Sequence, residues 1–332
     1  MFDGTKFNSS FERQYFNFEN RLGKVETEES FDQLFFDFDD RLYPWTTVYR
    51  YMLFMSLDDD IQLMVGIGQK NIPDYYINGS KITFGSSPPD YKVGLSYWCH
   101  SEDLIHKTKN EVIRNTGDKI TSETLHFQRI DEGYILKIDE MNTDLKIKEQ
   151  DGHDFLRFKF IFSPFYRCNK YLPFYGTILG KKTKGIAIMQ KVNINMPFIP
   201  WVWGRSFFEN GAQLNFYEPR VLVPLYKRLN FQIDGEVYKF EKSTKIEMIS
   251  GGKYPSWKLS GKTRRGEELD VDIKSYAHIC NNFETKRTCF SYSEYPSKVT
   301  KLKFKKGSKT ITLDDLGNGA TNCENAHYTK KI

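Results

Sequence analysis

The chain has 332 residues, enough for one large or two ordinary domains, and we expect two. The 48 Lys and Arg residues and the 43 Asp and Glu residues are intermixed along the chain, so the net charge of +5 lacks the clustering of a nucleic-acid-binding surface. The chain is also rich in phenylalanine (27) and tyrosine (20), and aromatic residues favour β-strands.

Several patterns exclude other classes of protein. No apolar run approaches the roughly 20 residues needed to cross a bilayer, and the first 20 residues lack the basic-then-apolar order of a signal peptide. We therefore expect a cytoplasmic protein without a transmembrane segment, and peripheral contact with a membrane stays open. The five cysteines and six histidines lack metal-ligand spacing, and no Gly-rich phosphate loop is present, so we expect no metal and no cofactor.

Alternating strands separated by turn dipeptides recur along the chain. The dipeptides are Asn78-Gly79, Asp151-Gly152, Asn210-Gly211 and Asp234-Gly235. Each favours a two-residue type I′ turn, because Asn, Asp and Gly tolerate the positive φ angles of such turns. Helical spacing of apolar residues occurs only at 101–117. The pattern predicts an all-β protein of two antiparallel β-barrels or sandwiches packed together, with few short helices.

The segment "SPFYRCNKYLPFYG", residues 163–176, interrupts this rhythm with two prolines. We place the domain boundary here, which gives an N-terminal domain of residues 1–170 and a C-terminal domain of residues 171–332. The same segment would also suit a long loop inside one sheet.

The hairpin "PFIPWVWGRSFFENGAQLNFYEPR", residues 197–220, places tryptophan beside formal charge. With Asn210 and Gly211 as a two-residue loop, side chains that alternate with period two fall on two faces. One face then collects Trp201, Trp203, Arg205, Phe207, Leu214, Phe216, Glu218 and Arg220. Burial of charge beside indole is costly unless the charges pair or meet a polar ligand. The face therefore predicts a ligand site, a salt bridge that closes the end of a barrel, or a protein contact.

Two further groups of residues are candidates. In "GLSYWCHSED", His100 shares a strand face with Trp98 and is an acid/base candidate, whereas Cys99 points to the opposite face and is expected to pack in a core. Near the C-terminus, a terminal strand and its loop explain the group Asn322, Glu324, Asn325 and His327. Glu324 and His327 in the same stretch are also suited to face a cavity.

The segment "PWVWGRSFFENGAQLNFYE" resembles the lipocalin-like two-domain superfamily that includes carotenoid 1,2-hydratases, AttH-like proteins and related pericyclases. That superfamily has an aromatic-Gly motif followed by a hairpin, and the overall length and two β halves also agree. The matching residues are Trp203, Gly204, Phe207, Phe208, Gly211 and Leu214. The resemblance implies two calycin-type barrels packed together, with an apolar ligand, often an isoprenoid or polyketide, held within or between them.

The resemblance also implies that a carboxylic acid near the Trp-Gly motif protonates an olefin. This chain has Arg205 where such an acid would be sought, and Glu218, opposite Trp203 in the predicted register, is the nearest substitute. We therefore expect Glu218 and His100 as catalytic candidates. The expected ligand-binding residues are Trp98, Trp201, Trp203, Arg205, Phe207, Phe216 and Arg220.

The expected ligand is a hydrophobic small molecule, such as an isoprenoid or other lipid-like compound. The expected reaction, if one occurs, is hydration, isomerisation or cyclisation by proton transfer. Two alternatives stay open: a carbohydrate-binding or sugar-processing β-protein, and a non-catalytic scaffold or stress protein.

Overall fold

Strands account for almost all of the regular secondary structure, as the aromatic content and turn dipeptides predict. The computed structural model describes residues 30–39, 42–43, 46–149, 154–160, 163–194, 200–220 and 227–329. These residues form two compact units. The N-terminal unit comprises the described residues up to 194 together with Phe283–Arg287, and the C-terminal unit comprises the described residues 200–282 and 288–329.

The described residues of the N-terminal unit include one α-helix, α1 (Phe31–Phe36), and a 3₁₀ turn at Asp139–Met141. Its strands are β1 (Thr47–Ser56), β2 (Gln62–Lys70), β3 (Tyr75–Ile77), β4 (Ser80–Ile82), β5 (Gly85–Ser87), β6 (Asp90–His100), β7 (Leu104–Asn115), β8 (Lys119–Thr121), β9 (His126–Ile130), β10 (Gly133–Ile138), β11 (Thr143–Lys148), β12 (Asp154–Phe160), β13 (Ser163–Ile178) and β14 (Lys181–Ile194).

Eleven further strands and a 3₁₀ turn at Leu313–Asp315 are described from residue 201 onward. They are β15 (Trp201–Phe208), β16 (Gln213–Pro219), β17 (Arg228–Ile233), β18 (Glu236–Lys239), β19 (Lys242–Ile249), β20 (Ser256–Lys262), β21 (Glu268–Ser275), β22 (Ile279–Glu284), β23 (Cys289–Lys306), β24 (Lys309–Thr312) and β25 (Gly319–Thr329).

A closed antiparallel barrel of 10 strands forms the N-terminal unit. The strand order is β11-β10-β9-β8-β7-β6-β2-β1-β14-β13, and the pairing of β11 with β13 closes it. Closure leaves no free edge along this ring of strands. Helix α1 packs Phe31, Leu34, Phe35 and Phe36 into the barrel core, and Ser30 caps its first turn with a hydrogen bond from the Gln33 N–H.

A buried arginine holds the segment that follows α1. Arg50, on β1, is fully buried and donates from Nε to the Phe35 carbonyl (2.6 Å) and from Nη2 to the Asp37 carbonyl. Its Nη1 donates to the Gln69 side chain (2.9 Å). These bonds satisfy the guanidinium group and carbonyls that the end of a short helix leaves without helical partners.

The C-terminal unit is an antiparallel sheet in the order β18-β17-β16-β15-β25-β23-β21-β20-β19. Its apolar side chains form one core that draws on nearly every strand, from Val202 on β15 to Cys323 on β25. The expected all-β class with two β domains is confirmed.

Two details of the sequence prediction change. The predicted boundary between residues 170 and 171 lies inside β13, which pairs with β14 without interruption from Phe165 to Ile178. A continuous hairpin cannot serve as a linker, so the boundary moves to the region between residues 194 and 200. The helix suggested at 101–117 is wrong, because β7 occupies most of that range and pairs with β6 from Leu104 to Arg114.

Two of the predicted turn dipeptides form the expected two-residue turns. Asn78-Gly79 has φ angles of 51° and 77°, and Asp234-Gly235 has 52° and 75°, so both are type I′ turns as predicted. Asp151-Gly152 lies outside the described residues.

Among the helices in the described ranges, none combines the length and apolarity that a membrane span requires.

Candidate active site on the C-terminal sheet

The hairpin of β15 and β16 has a three-residue loop. The Phe208 N–H donates to the Ala212 carbonyl (3.0 Å), and the Gly211 N–H donates back to the Phe208 carbonyl (2.9 Å). Gly211 has a φ of 89°, whereas Asn210 uses its side-chain oxygen to accept the Ala212 N–H at 2.9 Å. A glycine in the left-handed region at the end of such a loop is the common three-residue arrangement. The predicted two-residue loop is therefore wrong.

The extra loop residue shifts the register by one. The observed cross-strand pairs include Trp203 with Tyr217, and Gly204 with Phe216. A slip of one residue moves every side chain of one strand to the other face. The residues of β15 therefore keep their common face, and the residues of β16 exchange faces.

Phe216 consequently belongs to the apolar core and does not share a face with Trp201 and Trp203. It is fully buried, and its ring lies 5.8 Å from that of Trp257. The ring covers Gly204, where a Cβ atom would lie only 2.3 Å from Phe216 Cε1. This close approach explains the glycine of the Trp-Gly motif, because only a residue without a side chain leaves room for the ring.

Glu218 and Arg220 also leave the face of Trp203. Glu218 points to the same side as Phe216 and forms an ion pair with Lys227, with Oε1 and Nζ 2.8 Å apart. Arg220 is exposed beyond the end of β16. The predicted placement of Glu218 opposite Trp203 is wrong, for the same one-residue reason.

The acids that do meet the tryptophans come from two other strands. On the sheet face opposite the apolar core, Trp203 pairs across with Glu324 of β25, which in turn pairs with Glu294 of β23. We call the face that carries Trp201, Trp203, Glu294 and Glu324 the acid-aromatic face. Arg205 and Phe207 lie on it further along β15, because residues two apart share a side of the sheet.

Glu324 has a pKa far above the ordinary value for a glutamate. It is only 3 % exposed, and the Trp201 Nε1–H donates to its Oε2 at 2.8 Å. Burial, followed by the charge of Glu294, raises the pKa of Glu324 to about 8. Hydrogen bonds from Trp201 and Tyr292 and the charge of Arg205 act in the opposite direction, with smaller effect. A carboxyl group with this pKa carries its proton at neutral pH.

Aromatic rings border the acid on one side. The Trp201 ring lies 5.7 Å from that of Phe290 and 5.8 Å from that of Tyr292. Both Trp201 and Trp203 are half-buried, so part of each indole is accessible. The Arg205 guanidinium carbon lies 4.4 Å from the Trp203 ring centroid, within the range of a cation-π contact.

The other predicted site residues lie in the N-terminal unit. Trp98 is fully buried on β6, and the His100 Nδ1 is 3.0 Å from the Asp60 carbonyl oxygen. Cys99 packs in the barrel core, as predicted, and burial raises the pKa of its thiol to about 12. Neither Trp98 nor His100 belongs to the sheet that carries the acid-aromatic face.

Sequence reasoning noted Glu324 only as a residue suited to a cavity and missed Glu294. An available signal was the isolated charge in "CFSYSEYPS", where one glutamate interrupts a strand of aromatic and small residues. Within the part of the chain that the structure describes, no three His, Cys, Asp or Glu side chains are grouped to hold a metal ion.

No protein-family model matches this sequence, and no curated protein matches it. Among solved structures, a putative AttH from Nitrosomonas europaea is similar, with 10% identity, coverage of 92% of this chain and 99% of that chain, and a TM-score of 0.47. CghA, solved with Sch210972, has 10% identity, coverage of 92% and 94%, and a TM-score of 0.48. Kievitone hydratase from Nectria haematococca has 10% identity, coverage of 92% and 94%, and a TM-score of 0.42.

Proposed function

We propose that the protein binds an apolar small molecule, such as an isoprenoid, against the acid-aromatic face, and that Glu324 protonates a carbon–carbon double bond of this ligand. The observation that carries the proposal is a buried carboxyl group hydrogen-bonded to an indole that is itself partly accessible. The proposed step needs no cofactor. We assign the role of acid to Glu324 and not to Glu218, because Glu324 shares a sheet face with Trp203 whereas Glu218 lies on the opposite face.

A general acid works best when its pKa lies near the pH at which the enzyme operates. The pKa of Glu324, raised to about 8 by burial first and by Glu294 second, meets that condition. The same device, a carboxyl group kept protonated by an apolar environment, serves proton donors in other enzymes. The Trp201 N–H fixes the orientation of the carboxyl group that donates the proton.

In the proposed step, the π electrons of the double bond take the Glu324 proton, which leaves a carbocation on the ligand and a carboxylate on Glu324. The faces of Trp201 and Trp203 are suited to stabilise that cation through cation-π interaction. Addition of water followed by loss of a proton completes a hydration, and loss of a neighbouring proton completes an isomerisation. Attack by a second double bond, followed by proton loss, completes a cyclisation.

Proton exchange with deuterated water tests the proposal even where the product is unidentified. Purified protein is incubated in D₂O with a panel of isoprenoid alkenes, and deuterium in the recovered molecules is measured by mass spectrometry. Glu324→Gln should lower deuterium incorporation at least about 100-fold, the usual contribution of a general acid. Quenching of tryptophan fluorescence by the same alkenes should persist.

The control is Glu218→Gln, which alters a glutamate of β16 on the opposite face of the same sheet and should retain full incorporation. Undiminished incorporation in Glu324→Gln would remove Glu324 from the mechanism. A panel in which no alkene quenches the tryptophans or exchanges protons would contradict the apolar ligand.

A carbohydrate ligand is the second candidate. Half-buried indoles beside buried amides, such as Trp203 with Nε1 3.3 Å from Asn215 Oδ1, also suit a sugar, which offers an apolar ring face and many hydroxyl groups. Retention on polysaccharide gels, lost on Trp203→Ala, would favour this candidate. Free passage through such gels would count against it.

A further inference from the structure

Beyond Glu324, the acid-aromatic face continues into side chains that are both polar and buried. Each of them is between 1 % and 5 % exposed. We call them the polar rows, and they are Arg205, Gln213, Asn215, Arg228, Asn230, Gln232 and Asn322. This composition is unusual, because buried arginine and amide groups lose hydration that only hydrogen bonds or a charged partner restore.

The strand register brings the polar rows together. Asn230, Asn215, Arg205 and Asn322 follow one another across β17, β16, β15 and β25. In the next row, Gln213 pairs across with Gln232. Side chains directly opposite on one face of a sheet are close enough to act on the same bound group.

Two amide donors of the polar rows have no partner among the described residues. The Asn215 Oδ1 accepts the Trp203 Nε1–H, which fixes the amide so that its Nδ2 is the free end, and that atom has no hydrogen bond. The Gln213 Nε2 likewise has none, and in the same region the Gln232 Oε1 is an acceptor without one. Buried donors are nearly always satisfied in native proteins, so two together on one strand indicate a place for an acceptor group.

The buried arginines of the face favour a ligand whose acceptor group is negatively charged. Arg205 and Arg228 are each 4 % exposed, and they share the face with Glu294 and Glu324. Arg205 pairs across with Asn215, and burial raises the pKa of Glu324, which favours the uncharged form of that acid. A carboxylate on a ligand would therefore meet positive charge beside the Asn215 amide.

We propose that the ligand of this face is an amphipathic acid, whose carboxylate accepts hydrogen bonds from the Asn215 and Gln213 amides beside Arg205. Its hydrocarbon lies on Trp201 and Trp203. The Arg205 guanidinium, 4.4 Å from the Trp203 ring centroid, lies where the two parts of the ligand meet. The inference rests on the proposed function, because it assigns the ligand class of the same face.

The test compares molecules that share a hydrocarbon and differ only in the head group. The pairs are 1-pyrenebutyric acid with 1-pyrenebutanol, and retinoic acid with retinol, and binding is followed by quenching of tryptophan fluorescence. Each acid should bind about tenfold more tightly than its alcohol, the effect of one charge-assisted hydrogen bond.

Asn215→Asp is the decisive variant. It keeps an oxygen for the Trp203 N–H and replaces the Nδ2 donor with a second oxygen, so the acids should lose about tenfold or more in affinity while the alcohols change by less than about twofold. Asn78→Asp, the same change in an exposed turn, is the control and should bind as the wild-type protein does. Asn215→Leu removes the donor without adding charge, and it should abolish the preference for acids. It provides the test if the aspartate variant does not fold.

The outcomes separate this inference from the proposed function. Equal affinity for acids and alcohols, or an acid preference that survives both Asn215 variants, would overturn the amphipathic acid and leave the apolar site intact. Failure of both members of both pairs to quench the tryptophans would contradict the proposed function and this inference with it.

Discussion

The raised pKa of Glu324 makes a specific prediction about stability and pH. The folded state raises this pKa from 4.5 to about 8, through burial first and the charge of Glu294 second. Between these two values the folded chain binds a proton that the unfolded chain has released. The free energy of unfolding therefore falls as pH rises through this window, by about 1.4 kcal/mol per pH unit from this one group. Above about pH 8 the penalty is constant.

Urea unfolding followed by circular dichroism measures this slope. From pH 5.5 to pH 7.5 the wild-type protein should lose about 3 kcal/mol through Glu324, and Glu324→Gln should lack that loss because glutamine does not ionise. The glutamine oxygen still accepts the Trp201 N–H, so packing is preserved. The variant should also be more stable than the wild-type protein at pH 7.5.

Glu236→Gln is the matched control. Hydrogen bonds from Lys306 and Tyr238 lower the pKa of Glu236, so its stabilisation is present above the unfolded pKa and is lost only as pH falls below it. Its removal should leave the slope between pH 5.5 and 7.5 unchanged. Equal slopes in the wild-type protein and Glu324→Gln would show that Glu324 is ionised when buried, and would refute the proton donor.

Three further substitutions test the fold around the site. Gly204→Ala places a Cβ 2.3 Å from the Phe216 ring and should lower the free energy of unfolding, measured by urea titration, by about 1–3 kcal/mol. Gly68→Ala is the control, because the nearest atom to its added Cβ is 3.8 Å away. It should change the free energy of unfolding by less than about 1 kcal/mol. Gly211→Ala, at a φ of 89°, should cost about 1–2 kcal/mol, and no cost would argue against the three-residue loop. Arg50→Met leaves the carbonyls after α1 without their donors and should speed limited proteolysis within 30–39; an unchanged cleavage rate would show that Arg50 does not hold this segment.

Local sequence signals predicted the fold class well. Asn78-Gly79 and Asp234-Gly235 form the expected turns because two neighbouring residues alone supply both positive φ angles. The helical spacing at 101–117 gave a wrong prediction, because the spacing of its apolar residues suits a helix as well as a strand. These residues are Leu104, Ile105, Val112 and Ile113. Backbone pairing with β6 makes this segment a strand. Such pairing cannot be read from the segment's own sequence, because it depends on a neighbouring strand.

The loop of the β15–β16 hairpin shows the same limit at closer range. Asn-Gly suits both a two-residue and a three-residue connection. The longer loop is held by partners far along the chain, since the Glu209 N–H donates to the Asn318 carbonyl (2.8 Å) and the Asn210 N–H to the Leu316 carbonyl (3.1 Å). The register, and with it the face of Phe216, follows from those contacts.

The sequence alone therefore determined that this chain is an antiparallel β protein, and that Trp201, Trp203 and Arg205 share one side of a strand, because alternation and turn chemistry are properties of neighbouring residues. Only the tertiary structure decided which acid meets them. Glu324 is 123 residues away from Trp201 and reaches it because β25 lies between β15 and β23 in the sheet. Strand order and register depend on contacts summed over the whole sheet, and no short stretch of sequence contains that sum.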